Sequence, residues 1–151
     1  MRQNSNLVTN LQADKLKQLG FDDPVPRYIF SPFGDEDNTP EMNHGELYNW
    51  NNNASNSLFT SVPTVDEAID WLRRKFDIII YNSNTPFVDP KTNDIVYSFG
   101  VKQCSKRWGW NQRVLLGRTP THKNIYTIKR KAISIALTFI IKNNELCRRN
   151  K

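Results

Sequence analysis

The alternation of apolar and polar residues changes period several times along the chain, and each change marks an element. Leu7 to Gly20 reads as a short helix. Thr9 caps it, Gln12 three residues on completes a capping box, and Gly20 supplies a left-handed stop. Asp22-Asp23-Pro24-Val25-Pro26 forces a turn, after which Arg27-Tyr28-Ile29-Phe30 has the composition of a short strand. Between Ser31 and Ser61 the period is lost among Pro, Gly, Asp and Asn. This stretch is expected as an extended irregular excursion, with a short strand near Leu58-Phe59-Thr60. Helical spacing returns after Pro63. Thr64-Val65-Asp66-Glu67 is a second capping box, and Val65, Ala68, Ile69, Leu72 and Phe76 make one apolar stripe.

The period then drops to two. Asp77-Ile78-Ile79-Ile80-Tyr81 is apolar on both faces, the pattern of a buried strand. Pro86, Asp89-Pro90 and Thr92-Asn93-Asp94 punctuate a long turn. Ile95 to Cys104 alternates, with Ile95, Tyr97, Phe99 and Val101 on one face and Ser98, Gly100 and Lys102 on the other. Lys106 to Leu116 repeats the pattern: Trp108, Trp110, Val114 and Leu116 on one face, Arg107, Asn111 and Arg113 on the other. From about Lys123 to Asn143, Ile125, Ile128, Ala132, Ile135, Ala136 and Phe139 share a helical face.

These elements predict an α+β fold in a single domain. Its core, over 62–145, is a three-stranded antiparallel meander flanked by two helices, in the order helix–strand–strand–strand–helix. A helix–strand extension (7–30) and the irregular acidic, Asn-rich segment (31–61) precede it, and a basic tail (146–151) follows. The same order of elements is found in double-stranded-RNA-binding domains. Lys129-Arg130-Lys131-Ala132, with Ala136-Leu137 further on, resembles the basic opening of their second helix. The segment Ser83 to Asp94 carries no counterpart of that family's minor-groove loop motif, so the resemblance is one of fold, not of function.

Charge sharpens the picture more than composition does. At 151 residues, 38% hydrophobic and 24% charged, the chain suits one globular core. No apolar run is long enough to span a membrane, and the start lacks a signal-peptide core. Two cysteines, Cys104 and Cys147, give no disulfide framework, and a reducing cytoplasm is expected. The formal net charge of +6 is unevenly spread: residues 1–60 carry four basic and eight acidic side chains, whereas 96–151 carry thirteen basic and one acidic. Such asymmetry points to an anionic partner for the C-terminal third, or to pairing between the two ends of the chain.

The candidate anion-binding residues are Lys102, Lys106, Arg107, Arg113, Arg118, Lys123, Lys129, Arg130 and Lys131. With both tryptophans turned to the helices, Lys102, Arg107 and Arg113 are expected to share the opposite face of the sheet. Lys129, Arg130 and Lys131 fall near the start of the last helix, where its dipole disfavours positive charge and a phosphate would relieve the conflict. Trp108 and Trp110 have the spacing of a base-stacking platform, but core placement fits the apolar face of the strand better. Trp50, in an Asn-rich loop, reads as an anchor that pins the loop.

Other chemistry is weaker. Asp35, Asp37, Thr39, Glu41, Asn43 and Glu46 follow the count of a calcium-binding EF-hand, yet Pro40 stands where the sharp turn requires glycine. His44 and His122 belong to no metal or triad pattern, no base is placed beside Cys104 or Cys147, and the six glycines are too scattered for a phosphate loop. No catalytic residue, metal site or cofactor is therefore expected.

Three stretches resemble a family of small uncharacterised proteins of Bacteroidetes bacteria and their phages. They are Ala13-Asp14-Lys15-Leu16-Lys17-Gln18-Leu19-Gly20-Phe21, Pro63-Thr64-Val65-Asp66-Glu67-Ala68-Ile69-Asp70-Trp71-Leu72-Arg73, and the closing helix with Ala132, Ile135, Ala136 and Leu137. The resemblance implies a phage or prophage origin and carries over no functional residue. The reading that follows is a non-enzymatic accessory protein whose basic C-terminal third contacts an anion, nucleic acid first among them. The alternative is a protein-interaction or structural module whose basic face is covered by its own acidic half or by a partner.

Overall fold

The computed structural model describes residues 6–30, 40–42, 46–52, 59–82, 87–104 and 112–149. It is an α+β structure of three helices and small antiparallel sheets. The chain clusters into two compact units, one of Leu7–Trp71 and one built on Leu72–Lys151, the division falling inside a helix.

In the N-terminal unit, α1 (Asn10–Gln18) begins at the expected capping box. The Gln12 amide donates to Thr9 Oγ1 and the Thr9 amide to Gln12 Oε1, both at 3.1 Å. It stops where Gly20 adopts φ +93°, letting the Phe21 amide reach the Leu16 carbonyl and the Gly20 amide that of Lys17. β1 (Arg27–Phe30) is the centre of a three-stranded sheet, between β2 (Glu41–Met42) and β3 (Phe59–Ser61). The short strand expected near Leu58-Phe59-Thr60 is β3, while the rest of the region expected to be irregular supplies β2 and a short 3-10 turn, Trp50–Asn52. A strand as short as β2 escapes periodicity analysis because two residues cannot display a period.

That turn is the anchor expected of Trp50. Its indole Nε1 donates to the Val25 carbonyl at 3.0 Å, and its ring lies 4.2 Å from Tyr28 and 5.7 Å from Phe59. Next to it, Asn51 donates to the Phe21 carbonyl and accepts from the Ser61 amide, tying turn, loop and β3 together. The core beneath comprises Val8, Ala13, Leu16, Phe21, Val25, Ile29, Val62, Val65, Ala68 and Trp71.

α2 (Val65–Phe76) opens on the second capping box, with the Glu67 amide donating to Thr64 Oγ1 and the Thr64 amide to Glu67 Oε1. Glu67 Oε1 also meets Arg27 Nη2 at 2.7 Å, while Arg27 Nε donates to the Val62 carbonyl. Of the predicted stripe, Val65, Ala68 and Leu72 are fully buried, whereas Ile69 and Phe76 are half-buried. Trp71, which the stripe omits, is 1% exposed, donates to Asp22 Oδ1 at 3.1 Å and packs against Phe21.

In the C-terminal unit, β4 (Ile78–Asn82), β7 (Phe99–Cys104) and β8 (Gln112–Leu116) form an antiparallel sheet with β7 central. A hairpin, β5 (Phe87–Val88) with β6 (Ile95–Val96), is inserted between the first two strands. The expected single strand from Ile95 to Cys104 is thus two. Its parity slips at Tyr97-Ser98, so that Val96, Phe99 and Val101 are buried while Ile95 is 55% exposed. β4 is an outer strand, with Ile78 buried and Ile79 and Ile80 half-buried.

α3 (Ile125–Arg149) packs along this sheet. Asn124 caps it, accepting from the Tyr126 and Thr127 amides. Its buried stripe is Ile128, Ala132, Ile133, Ala136, Leu137 and Ile140, rotated from the expected one, so that Ile125, Ile135 and Phe139 are only half-buried.

Candidate functional site

Seven of the nine candidate cations are described; Lys106 and Arg107, like Trp108 and Trp110, lie outside the described residues. The ladder between β7 and β8 decides where two of the seven stand. Val101 pairs with Leu116, but its neighbour Lys102 pairs with Val114, so Leu115 is an extra residue in β8. Side chains directly opposite in a ladder share a face. Leu116 therefore joins Val101, while Val114 joins Lys102, and Arg113 falls on the face of Gln103 and Val101.

Lys102 and Arg113 consequently lie on opposite faces of the sheet, against the expectation that they share one. One inserted residue inverts the facing of every position on one side of it. On one face, Lys102 Nζ sits 5.0 Å from the centre of the Tyr81 ring. Tyr81 itself crosses Gly100, where a Cβ would collide with its phenol and lie 2.8 Å from the Gly117 carbonyl. On the other face, the Arg113 guanidinium lies 5.2 Å over the ring of Phe139 in α3. Val114, expected in the core, is 59% exposed.

The segment before α3 carries the next two cations. Thr119 is buried and exchanges hydrogen bonds with Phe99: its amide donates to the Phe99 carbonyl and its Oγ1 accepts from the Phe99 amide. Tyr97 and His122 exchange backbone hydrogen bonds, and His122 Nδ1 accepts from the Asn124 amide at 2.9 Å. His122 thus acts in shaping the loop that leads into the helix cap. The pinned backbone leaves Arg118 and Lys123 exposed on either side.

The last three stand on α3 beyond its first turn. Lys129 is half-buried, 5.8 Å from Phe99 and 6.0 Å from Tyr126. Arg130 is half-buried as well. Desolvation lowers its pKa from the usual guanidinium value, yet an arginine remains charged at any physiological pH. Lys131 is exposed, and from it a ridge of exposed residues follows helical spacing: Lys131, Ser134, Thr138 and Lys142. Lys102, Arg113, Lys123 and Lys131 form no ion pair with any described acid. Asp35, Glu36 and Asp37 lie outside the described residues.

Beside that ridge runs a groove of about 490 Å³ between β8 and α3. Leu115, Ile135 and Phe139 give it apolar walls; Arg113, Lys142 and the hydroxyls of Ser134 and Thr138 edge it, and no acid lines it. Sequence reasoning took Ile135 and Phe139 for core and passed over Lys142. The one signal for Lys142 was its place eleven residues beyond Lys131, on the same helical ridge.

Among the described residues no group of three or more His, Cys, Asp or Glu side chains could hold a metal ion, and no helix is long and apolar enough to cross a membrane. The EF-hand count falls largely outside the described residues. Cys104 is a free, half-buried thiol at the end of β7. No protein family, curated protein or solved structure matches this chain.

Proposed function

We propose that the C-terminal unit binds nucleic acid as a polyanion, in an accessory rather than a catalytic role. The observation that carries this reading is the coincidence of charge with architecture. Leu7–Trp71 holds three basic and eleven acidic side chains, whereas Leu72–Lys151 holds seventeen basic and four acidic. A net charge of −8 thus stands against one of +13, divided where the compact units divide. Phosphate backbones are attracted by such a surface irrespective of sequence, through release of their counterions.

Fluorescence anisotropy of labelled DNA and RNA against the full chain, at low and moderate salt, tests it. Binding at roughly micromolar protein in low salt is expected, weakening as salt rises with a slope of about −0.7 to −0.9 per neutralised phosphate. Absence of binding at micromolar protein in low salt removes the proposal.

Exposed apolar residues on the acidic unit, Leu47 at 68% and Tyr48 at 46%, support a second reading as a protein-interaction module. Light scattering separates the two: a monodisperse monomer that binds nucleic acid favours the first.

A further inference from the structure

The groove between β8 and α3 combines two chemistries that a duplex does not need together. A double helix hides the faces of its bases inside the stack and offers a protein its phosphates and groove edges. A single strand offers phosphates and bare base faces side by side, and proteins that hold it pair a cationic track with flat stacking surfaces. Here the exposed ridge Lys131, Ser134, Thr138 and Lys142 supplies two cations with two hydroxyls between them, over about 16 Å of helix. Alongside lie the half-buried Ile135 and Phe139, with the planar guanidinium of Arg113 over the Phe139 ring. Arginine is weakly hydrated and flat, so a base can stack on it as it stacks on an aromatic ring.

We infer that this groove binds single-stranded nucleic acid, with Arg113 and Phe139 as the stacking platform and Lys131 and Lys142 holding the backbone. The inference rests on the polyanion reading and narrows it to one strand and one site. Charge complementarity is the ground for the occupant: the walls hold two cations and no acid. The volume, about 490 Å³, lies in the range of sites that enclose small organic groups. An extended acidic peptide laid along β8, an outer strand of its sheet, would also meet Arg113 and Lys142, but it would leave the ring and guanidinium platform without a role.

The experiment compares three probes on the full chain: labelled oligothymidylate of about 12 nucleotides, a duplex of equal length, and oligoglutamate as competitor. Oligothymidylate is expected to bind about tenfold more tightly than the duplex, and oligoglutamate to compete poorly. Phe139→Leu keeps an apolar wall and removes the ring; it is expected to weaken oligothymidylate about tenfold and to leave the duplex unchanged. Arg113→Lys keeps the charge and loses the plane, with a similar outcome. Lys142→Ala, at an exposed position that cannot compromise the core, should weaken binding a few-fold at low salt and less at high salt. Lys123→Ala, outside the groove, should weaken both nucleic acids alike.

Equal affinity for strand and duplex, with Phe139→Leu and Arg113→Lys neutral, overturns the groove assignment and leaves the polyanion reading standing. Oligoglutamate displacing oligothymidylate at equal concentration overturns it in favour of an acidic peptide. Failure of both nucleic acids to bind overturns both readings. Thermal melts of each variant separate loss of the fold from loss of the site.

Discussion

The two compact units use their polar side chains in opposite ways. In Leu7–Trp71 these groups are turned inward, onto backbone distant in sequence. Lys17 Nζ donates to the Phe59 carbonyl, Arg27 to the Val62 carbonyl and Glu67, Trp50 to the Val25 carbonyl, and Asn51 to that of Phe21. Such bonds satisfy loop groups that would otherwise be buried without partners. In Leu72–Lys151 three cationic side chains lie beside rings instead: Lys102 by Tyr81, Arg113 by Phe139, Lys129 by Phe99. A ring holds a cation in place without neutralising it. The first unit therefore uses these groups in its own fold, whereas in the second the rings beside Lys102 and Arg113 position charge without cancelling it.

The contrast is easiest to break at Trp71, the largest fully buried side chain among the described residues. Trp71→Ala removes a buried ring, its contact with Phe21 and its hydrogen bond to Asp22, and should cost about 3–5 kcal/mol in denaturant unfolding. Nucleic-acid affinity at temperatures where the variant stays folded should be unaltered.

The register of β8 in the second unit is tested by a pair of substitutions. Val101→Ala, on the buried face, should cost about 2 kcal/mol, whereas Val114→Lys, on the open face, should change stability by less than about 0.5 kcal/mol. Equal costs would mean that the extra residue at Leu115 is absent and the strand alternates without a break. A small loss is expected from a cap. Thr64→Ala should cost about 1 kcal/mol, with the helix otherwise intact by circular dichroism, since it removes one hydrogen-bond acceptor at the helix start.

How much was legible in the sequence follows from how far apart the partners of each feature lie. The two capping boxes join residues three apart, and the Gly20 stop is a property of one residue, so each was readable from a window of a few letters. Trp71 was missed for the opposite reason. It falls one position off the stripe, and what buries it is Phe21 and Asp22, some fifty residues away. Of the outer strands around β1, β3 was readable near Phe59, but β2 was hidden because it is only two residues long. At the candidate site, the cations of α3 and Arg113 were readable as charge, but the groove was not, since one wall comes from a strand and the other from a helix.

By itself the sequence determined the capped starts of α1 and α2, the stop at Gly20, the α+β alternation of elements, and the division of charge into an acidic front and a basic back. All of these are sums or short-range patterns, which survive without knowledge of neighbours in space. It did not determine the end of α3, which runs past the expected Asn143 to Arg149. Tertiary structure alone decided which way the cations face. Facing in a strand depends on its pairing with another strand, and one added residue, Leu115, turned Arg113 toward α3 and Val114 toward the open face without altering the composition of β8.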